Sequence, residues 1–365
     1  MSSVVGVTIE GSEWDSAGFR DRIQAALDTF LDEQAERLAP LGPDAARLLD
    51  EARLSVSGGK RFRAAFCYWG YHAVAPDRPG DEDALIRACA ALELLHASAL
   101  VHDDLMDASD TRRGRPATHR QFARDHATTG WRGDPEQYGA AAAILLGDLL
   151  LSWADELLRR CGLPLGQVSP ALDVFDLCRS EVIAGQFLDV SVQARGLADV
   201  EAAMTVLRYK SAKYSIERPL HIGAALAGAG PETMAELTAF GLPLGEAFQL
   251  RDDLLGVFGD PEATGKPAGD DLIEGKRTVL VALALDAASR EDAARLDAAL
   301  GRSLDADQVA ELRGVIDGSG AHEQVEAVIG ELAGLALAAL DRAHLDGLAR
   351  RVLCELASAA TDRVV

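Results

Sequence analysis

Residues 101–119, VHDDLMDASDTRRGRPATH, hold the densest chemistry in the chain. On a helix, Asp103 and Asp107 stand at i and i+4 and share a face, with Asp104 beside them. Three carboxylates this close repel one another unless cations sit among them. The donors are hard oxygens, with no cysteine or ligand-spaced histidine nearby, which points to magnesium rather than zinc. Magnesium keeps several waters and usually shares its shell with a substrate phosphate. Arg112, Arg113 and Arg115 follow at once and offer forked donors to phosphate oxygens. Carboxylates, magnesium and guanidinium together describe a diphosphate site.

A second stretch answers the first. Residues 248–278 read FQLRDDLLGVFGDPEATGKPAGDDLIEGKRT. Asp252 and Asp253 again end an apolar helical run, and Lys266, Asp270, Asp271, Lys276 and Arg277 follow in a segment punctuated by glycine and proline. A third stretch, Ser57 to Trp69, sets Gly58 and Gly59 before Lys60, Arg61 and Arg63 at the start of an apolar helix. Backbone N–H groups at a helix start, joined by these cations, make an anion site. Gln186 and Asp189 lie at i and i+3 and are placed to face one cavity, and Lys210 and Ser211 sit in YKSAKYS with Lys213 as a further cation. His96 shares a narrow arc with Leu92, Ala99 and Asp103, which places it either in the core or against substrate.

These stretches, in this order, resemble the trans-isoprenyl diphosphate synthases (the polyprenyl synthetase family), with features of a geranylgeranyl diphosphate synthase. Asp103-Asp104-Leu-Met-Asp107 matches that family's DDxxD, residues 58–63 match its GGKRxR, residues 185–189 match its G-Q-x-x-D, and Lys210-Ser211 matches its Lys-Thr pair. The second DDxxD is altered: its fifth position is Gly256.

The resemblance implies that Asp103, Asp104, Asp107, Asp252 and Asp253 face magnesium. Three ions are expected with diphosphate bound, and manganese is expected to substitute. It implies that Arg112, Lys210 and Lys266 join Asp103, Asp104, Asp107 and Asp252 in drawing the diphosphate off an allylic substrate. Isopentenyl diphosphate would rest on Lys60, Arg63 and Arg113, with Phe248 beside its hydrocarbon and His96, Ser211, Gln249 and Lys276 completing the substrate contacts. Gln186 and Asp189 would contact magnesium-bound waters and neighbouring lysines. The departing diphosphate can take the proton, so no separate base is required.

Product length follows from helix geometry, because each turn advances about 5.4 Å, roughly one isoprene unit. Family members that stop at fifteen carbons commonly carry bulky aromatics four and five residues before the first aspartate. Here those residues are Ala99 and Ser98, and the motif has no insertion. The expectation is twenty carbons or more, with Leu95, then Leu94 and Trp153, as candidates for the floor.

The elements that must position these groups read as helices throughout. Periodic apolar spacing predicts helices over 17–38, 43–54, 85–107, 141–160, 171–193 and 199–229, the last kinked at Pro219. Another runs from Pro231 to the second aspartate pair, and four more follow residue 278. Residues 72–84 and 120–139 read as polar loops, and Asp148 as a hydrogen-bonded core residue. No convincing set of strands is visible. The expected fold class is all-α, a single helical domain over 16–365 built as a bundle around a deep central cavity, with a loose segment at 1–15.

Composition narrows the partners. Among 365 residues, 58 are acidic and 36 are Lys or Arg, so the net charge of −22 disfavours nucleic acid and anionic membrane surfaces. No apolar run is long enough to suggest a membrane span, and no signal peptide is evident. The five scattered cysteines form no CxxC pair and fit a reducing compartment, so a cytoplasmic location is expected. The family resemblance implies a homodimer. The rival readings are an HD-type phosphohydrolase built on His102 and Asp103, a terpene cyclase on the same fold, and a partner subunit without catalysis.

Overall fold

The computed structural model describes residue 14 and residues 18–76, 81–196, 199–259 and 269–361. Helices α1 (Phe19–Leu38), α2 (Pro43–Ser55), α3 (Phe62–Val74) and α4 (Glu82–Met106) come first. A two-residue ribbon, β1 (Thr111–Arg112) and β2 (Arg115–Pro116), leads into α5 (Thr118–Thr129), α6 (Pro135–Arg159) and α7 (Leu165–Arg195). Next are α8 (Val200–Val206), a π-helical stretch at Leu207–Glu217, α9 (Arg218–Leu226) and α10 (Pro231–Phe258). The chain closes with α11 (Asp270–Glu274), α12 (Val279–Ala287), α13 (Arg290–Ala299), α14 (Ala306–Gly318), α15 (Ala321–Arg342) and α16 (Gly347–Thr361).

Helix α4 is apolar on nearly every side, which suits a helix enclosed by others. Asp81 starts it by accepting from the Ala84 N–H, one of the donors a helix start leaves open. It is long and apolar enough to cross a membrane, but 78% of its most apolar window is buried within the bundle. Helix α6 packs along one side of it and α3 and α1 along another. Helix α10 is the second central element, lying against the π-helical stretch and α15. The apolar interior falls into two clusters, one around α4 and one around α10. Asp103 of α4 and Asp252 and Asp253 of α10 line one cavity of about 750 Å³, together with the start of α3, α7, the π-helical stretch and α11.

Several elements differ from the sequence reading. The polar stretch 120–139 is largely helical: α5 buries Phe122, Ala123 and His126 on a face too narrow to dominate its composition. Among the described residues five helices, not four, follow residue 278. Asp148 stays in solvent on the outer face of α6 and is not a core residue. The helix expected over 199–229 is α-helical only at its ends, with eleven π-helical residues between. Trp14, in the segment expected to be loose, stacks on Phe62 with centroids 5.6 Å apart, and the remainder of that segment lies outside the described residues.

Candidate active site

The first aspartate cluster is held by cations from three directions. Asp103 Oδ1 accepts from Lys210 Nζ at 3.0 Å and from Gln186 Nε2 at 2.9 Å. Lys210 also donates to Asp189 Oδ2 at 2.6 Å, so the two polar residues of α7 and the lysine form one network with the first motif. Burial alone would raise the Asp103 pKa, but Lys210, Lys276 and Arg112 outweigh it and keep the carboxyl well below its usual range. Asp107 lies 3.2 Å from Lys276 Nζ. Burial and the charge of Asp103 prevail there, and its pKa is pushed up to about 6. Asp104 turns out of the cavity and accepts from Arg112 Nε at 2.9 Å.

A close approach of backbones sets Lys210 in place. A Cβ on Gly185 of α7 would lie 2.8 Å from the Lys210 Cα, and one on Gly245 of α10 would lie 2.9 Å from the Ala212 carbonyl carbon. The π-helical stretch therefore runs between two glycines. Its i→i+5 bonding stacks residues four to five apart, and Lys210, Ser211, Tyr214 and Ser215 all line the cavity.

The second cluster is built differently. Asp252 is exposed at the cavity, while Asp253 is buried and accepts from the neutral Gln249 Nε2 at 2.8 Å. Burial and the nearby charge of Asp271 raise the Asp253 pKa well above the carboxylate range. Lys276 stands between the clusters, 3.6 Å from Asp271 and 2.5 Å from Glu274, which itself accepts from Ser109 at 2.5 Å. Lys266, expected beside diphosphate, lies outside the described residues.

A basic wall faces these acids. Arg113 and Gly114 both have positive φ, 52° and 72°, as a two-residue type I′ turn requires, and this turn presents Arg112 and Arg113 side by side. Arg113 donates to the Ser57 carbonyl at 2.8 Å. Arg63 donates to Ser215 Oγ at 2.8 Å and lies over the Tyr214 ring at 4.3 Å. Its Nε is buried with no hydrogen-bond partner among the described residues, a donor suited to an incoming anion. Lys60 stands at the mouth, and Phe248 packs edge-on to Phe62. His96 Nδ1 meets the Tyr214 hydroxyl at 2.5 Å. Burial and the surrounding arginines, Arg63 first, keep this imidazole neutral by holding its pKa well down.

Sequence reasoning missed several groups here. Tyr214 and Ser215 were hidden because a π-helical register cannot be read from a 3.6-residue period. Arg61 read as one of a basic trio, yet it is buried in the αL conformation (φ 56°) and donates to Glu93, Gln24 and the Val56 carbonyl, so it shapes the loop. Among the chain-length candidates, Ala99 lines the cavity. Ser98 does not: its hydroxyl donates to the Gly147 carbonyl of α6 at 2.7 Å. Leu95 and Trp153 are also turned into the core rather than to the cavity, Trp153 lying edge-on to Phe30. His102 points at α6, 3.2 Å from the Ile144 carbonyl, on the side of α4 away from Asp103's partners, so no His-Asp metal pair forms.

The donor set fits magnesium. Its oxygens are hard, and among the described residues no three acidic or imidazole side chains converge closely enough to hold a metal by themselves. Magnesium commonly uses one or two carboxylates and takes the rest of its shell from water and substrate phosphate. Asp103 and Asp252, which line the cavity, are the residues that would hold it, with Asp107 one helical turn beyond Asp103, and when bound it would neutralise the charge that develops on a departing diphosphate.

Comparison with known proteins agrees with this geometry. The sequence model of the polyprenyl synthetase family matches residues 47–316. A short chain isoprenyl diphosphate synthase of Methanothermobacter thermautotrophicus is 36% identical over 294 residues, 80% of this chain and 83% of the relative. A geranylfarnesyl diphosphate synthase of Aeropyrum pernix is 34% identical over 279 residues, 75% of this chain and 80% of the relative. The crystal structure of a geranylgeranyl pyrophosphate synthase from Corynebacterium glutamicum, complexed with isoprenyl diphosphate and magnesium, superposes with a TM-score of 0.92 at 40% identity, covering 95% of this chain and 99% of that one. The chain belongs to the polyprenyl synthetase family and is a trans-prenyltransferase of isoprenoid biosynthesis, one that elongates prenyl diphosphates. The family is magnesium-dependent.

Proposed function

We propose that the enzyme condenses isopentenyl diphosphate with geranyl or farnesyl diphosphate to give geranylgeranyl diphosphate or a longer product. The observation that carries this reading is the placement of Ala99 on the cavity wall, one turn from Asp103, where a small side chain leaves the path along α4 open. The allylic diphosphate lies between the aspartate clusters. Lys210, Lys276 and Arg112 steady the leaving group through fixed charges in a partly dry site, where such charges act strongly. Ser211, Gln186 and nearby carbonyls face the allylic cation with weak dipoles and no strong nucleophile. Isopentenyl diphosphate rests against Lys60, Arg63 and Arg113, with Phe248 beside its double bond. Three magnesium ions serve the reaction, and manganese replaces them. A terpene cyclase would have no use for the Lys60–Arg63–Arg113 wall.

The active form is a homodimer in the cytoplasm. Ile144 and Leu145 of α6 and Ile183, Phe187 and Val190 of α7 are all large, apolar and exposed, the surface that a partner copy would cover. A second copy of the same face is its occupant. All five cysteines are free, in keeping with a reducing compartment.

The test is a product analysis. The purified protein is incubated with magnesium, labelled isopentenyl diphosphate and, in separate reactions, dimethylallyl, geranyl or farnesyl diphosphate. The products are dephosphorylated and sized. A twenty-carbon or longer alcohol is expected, and a fifteen-carbon end product would refute the open-path reading. Sedimentation of the parent and of Phe187→Asp tests the dimer: the variant should sediment as a monomer.

A further inference from the structure

The second aspartate cluster is one side chain short. Asp252, Asp253 and Gly256 repeat the spacing of Asp103, Asp104 and Asp107, but the last place carries no side chain. Gly256 lies inside α10 with helical backbone, so conformation does not call for glycine there. Space does. A Cβ at this position would fall within the carboxylate of Asp271, with Oδ1 2.9 Å away. Asp271 reaches this point from α11, is buried, and lines the cavity beside Asp252 and Gly256.

Two further observations give the placement meaning. Lys276 Nζ is 3.2 Å from Asp107 and 3.6 Å from Asp271, so one ammonium faces the fifth residue of the first motif and the carboxylate that stands at the fifth place of the second. Neutralising Lys276 does not require Asp271, because Glu274 already approaches that ammonium at 2.5 Å. The carboxylate is also firmly carried. Leu272 beside it is fully buried, and the Gly301 N–H donates to the Leu272 carbonyl at 3.0 Å.

We infer that Asp271 supplies the second cluster with the third carboxylate that Gly256 lacks, facing the magnesium–diphosphate assembly from α11 as Asp252 faces it from α10. The inference rests on the reading of this cavity as the diphosphate site. It makes Gly256 a steric partner of Asp271 and not a sign of lost catalysis.

Inorganic pyrophosphate serves as the probe, so no turnover is needed. Calorimetry measures the magnesium concentration at half-saturation of pyrophosphate binding for the parent, D252N, D271N, D271A and the exchange variant G256D/D271A. Melting without magnesium checks each fold. D271N and D271A should raise the magnesium requirement tenfold or more, and the exchange should return it to within about threefold of the parent. G256D alone, with two carboxylates directed at one space, should melt lower. An unchanged requirement in D271N beside a raised one in D252N would overturn the inference and leave the site reading standing. So would an exchange variant no better than D271A. A parent that binds no pyrophosphate with magnesium would overturn the reading of the cavity, and the inference with it.

Discussion

The ends of α4 and α10 carry the same pair of adjacent aspartates and treat the second member in opposite ways. Asp104 is buried against the guanidinium of Arg112, and Asp253 is buried against the neutral amide of Gln249. The outer members also differ. Asp103 is gripped by Lys210 and Gln186, while Asp252 is exposed at the cavity. The first cluster is therefore charge-balanced within the protein, while the second sets its inner carboxyl against a neutral amide. A motif repeated in sequence need not be repeated in electrostatics, because the partners come from elsewhere in the chain.

The largest expected effect falls on the balanced cluster. Asp103→Asn removes the anion that organises Lys210 and Gln186, and turnover should fall by about a thousandfold, the upper range for losing one preorganised electrostatic group. Steady-state kinetics at saturating magnesium would measure it. A loss of less than tenfold would mean that Asp103 and Asp252 are interchangeable and that the asymmetry has no bearing on rate.

Stability provides the sharper contrast. Asp104→Asn leaves Arg112 without its carboxylate and should cost about 3 kcal/mol, the order seen when a buried pair loses one partner. Asp253→Asn replaces a carboxyl whose ionised form burial and Asp271 already disfavour, and should hold or raise the melting temperature of the metal-free protein. Parallel shifts in thermal melts of the two variants would break the comparison.

A smaller effect should appear with pH. Asp107, with a pKa raised to about 6, holds a proton that competes with magnesium, so the magnesium requirement should climb as pH falls through about 6. The limit is roughly tenfold per pH unit for one competing proton. In the metal-free chain the sign reverses. Folded Asp107 keeps its proton to higher pH than the unfolded chain does, so this group's contribution to stability declines as pH rises from the ordinary carboxylate range past about 6. Magnesium titrations and melts at pH 5.5, 6.5 and 7.5 would follow both trends.

The subtlest change concerns product length rather than rate. Ala99→Phe should shorten the product, since residue 99 lines the cavity, whereas Ser98→Phe should lower stability without shortening it, since residue 98 packs on α6. An unchanged product profile in Ala99→Phe would remove that residue from the path of the growing chain.

These contrasts also show what was legible in advance. The all-α class and the aspartate, lysine and glutamine members of the site could be read because each lies in a short run with helical spacing. Lys210 and Asp103 could be named separately, but their 3.0 Å contact joins residues 107 positions apart. Ser98 was assigned to the cavity because small size beside a motif is visible in sequence, while the direction of a side chain around a helix enclosed on all sides is not. Arg61 looked like its neighbours until its αL backbone turned it inward. Asp271 was visible as an acid in a glycine-rich segment, yet only the packing of α11 against α10 reveals which residue it complements.

The π-helical stretch has a consequence for tolerance to insertion and deletion. Lys210 and Ser211 share a wall with Tyr214 and Ser215 because the backbone there winds more loosely than an α-helix. Deleting a single residue between them would tighten the winding and swing one pair away from the other by about 100°, the α-helical step per residue. The bundle could remain intact, since Gly185 and Gly245 clamp the backbone on both sides. Across homologous chains, a one-residue gap in this stretch is therefore a change of catalytic register, not a neutral length difference.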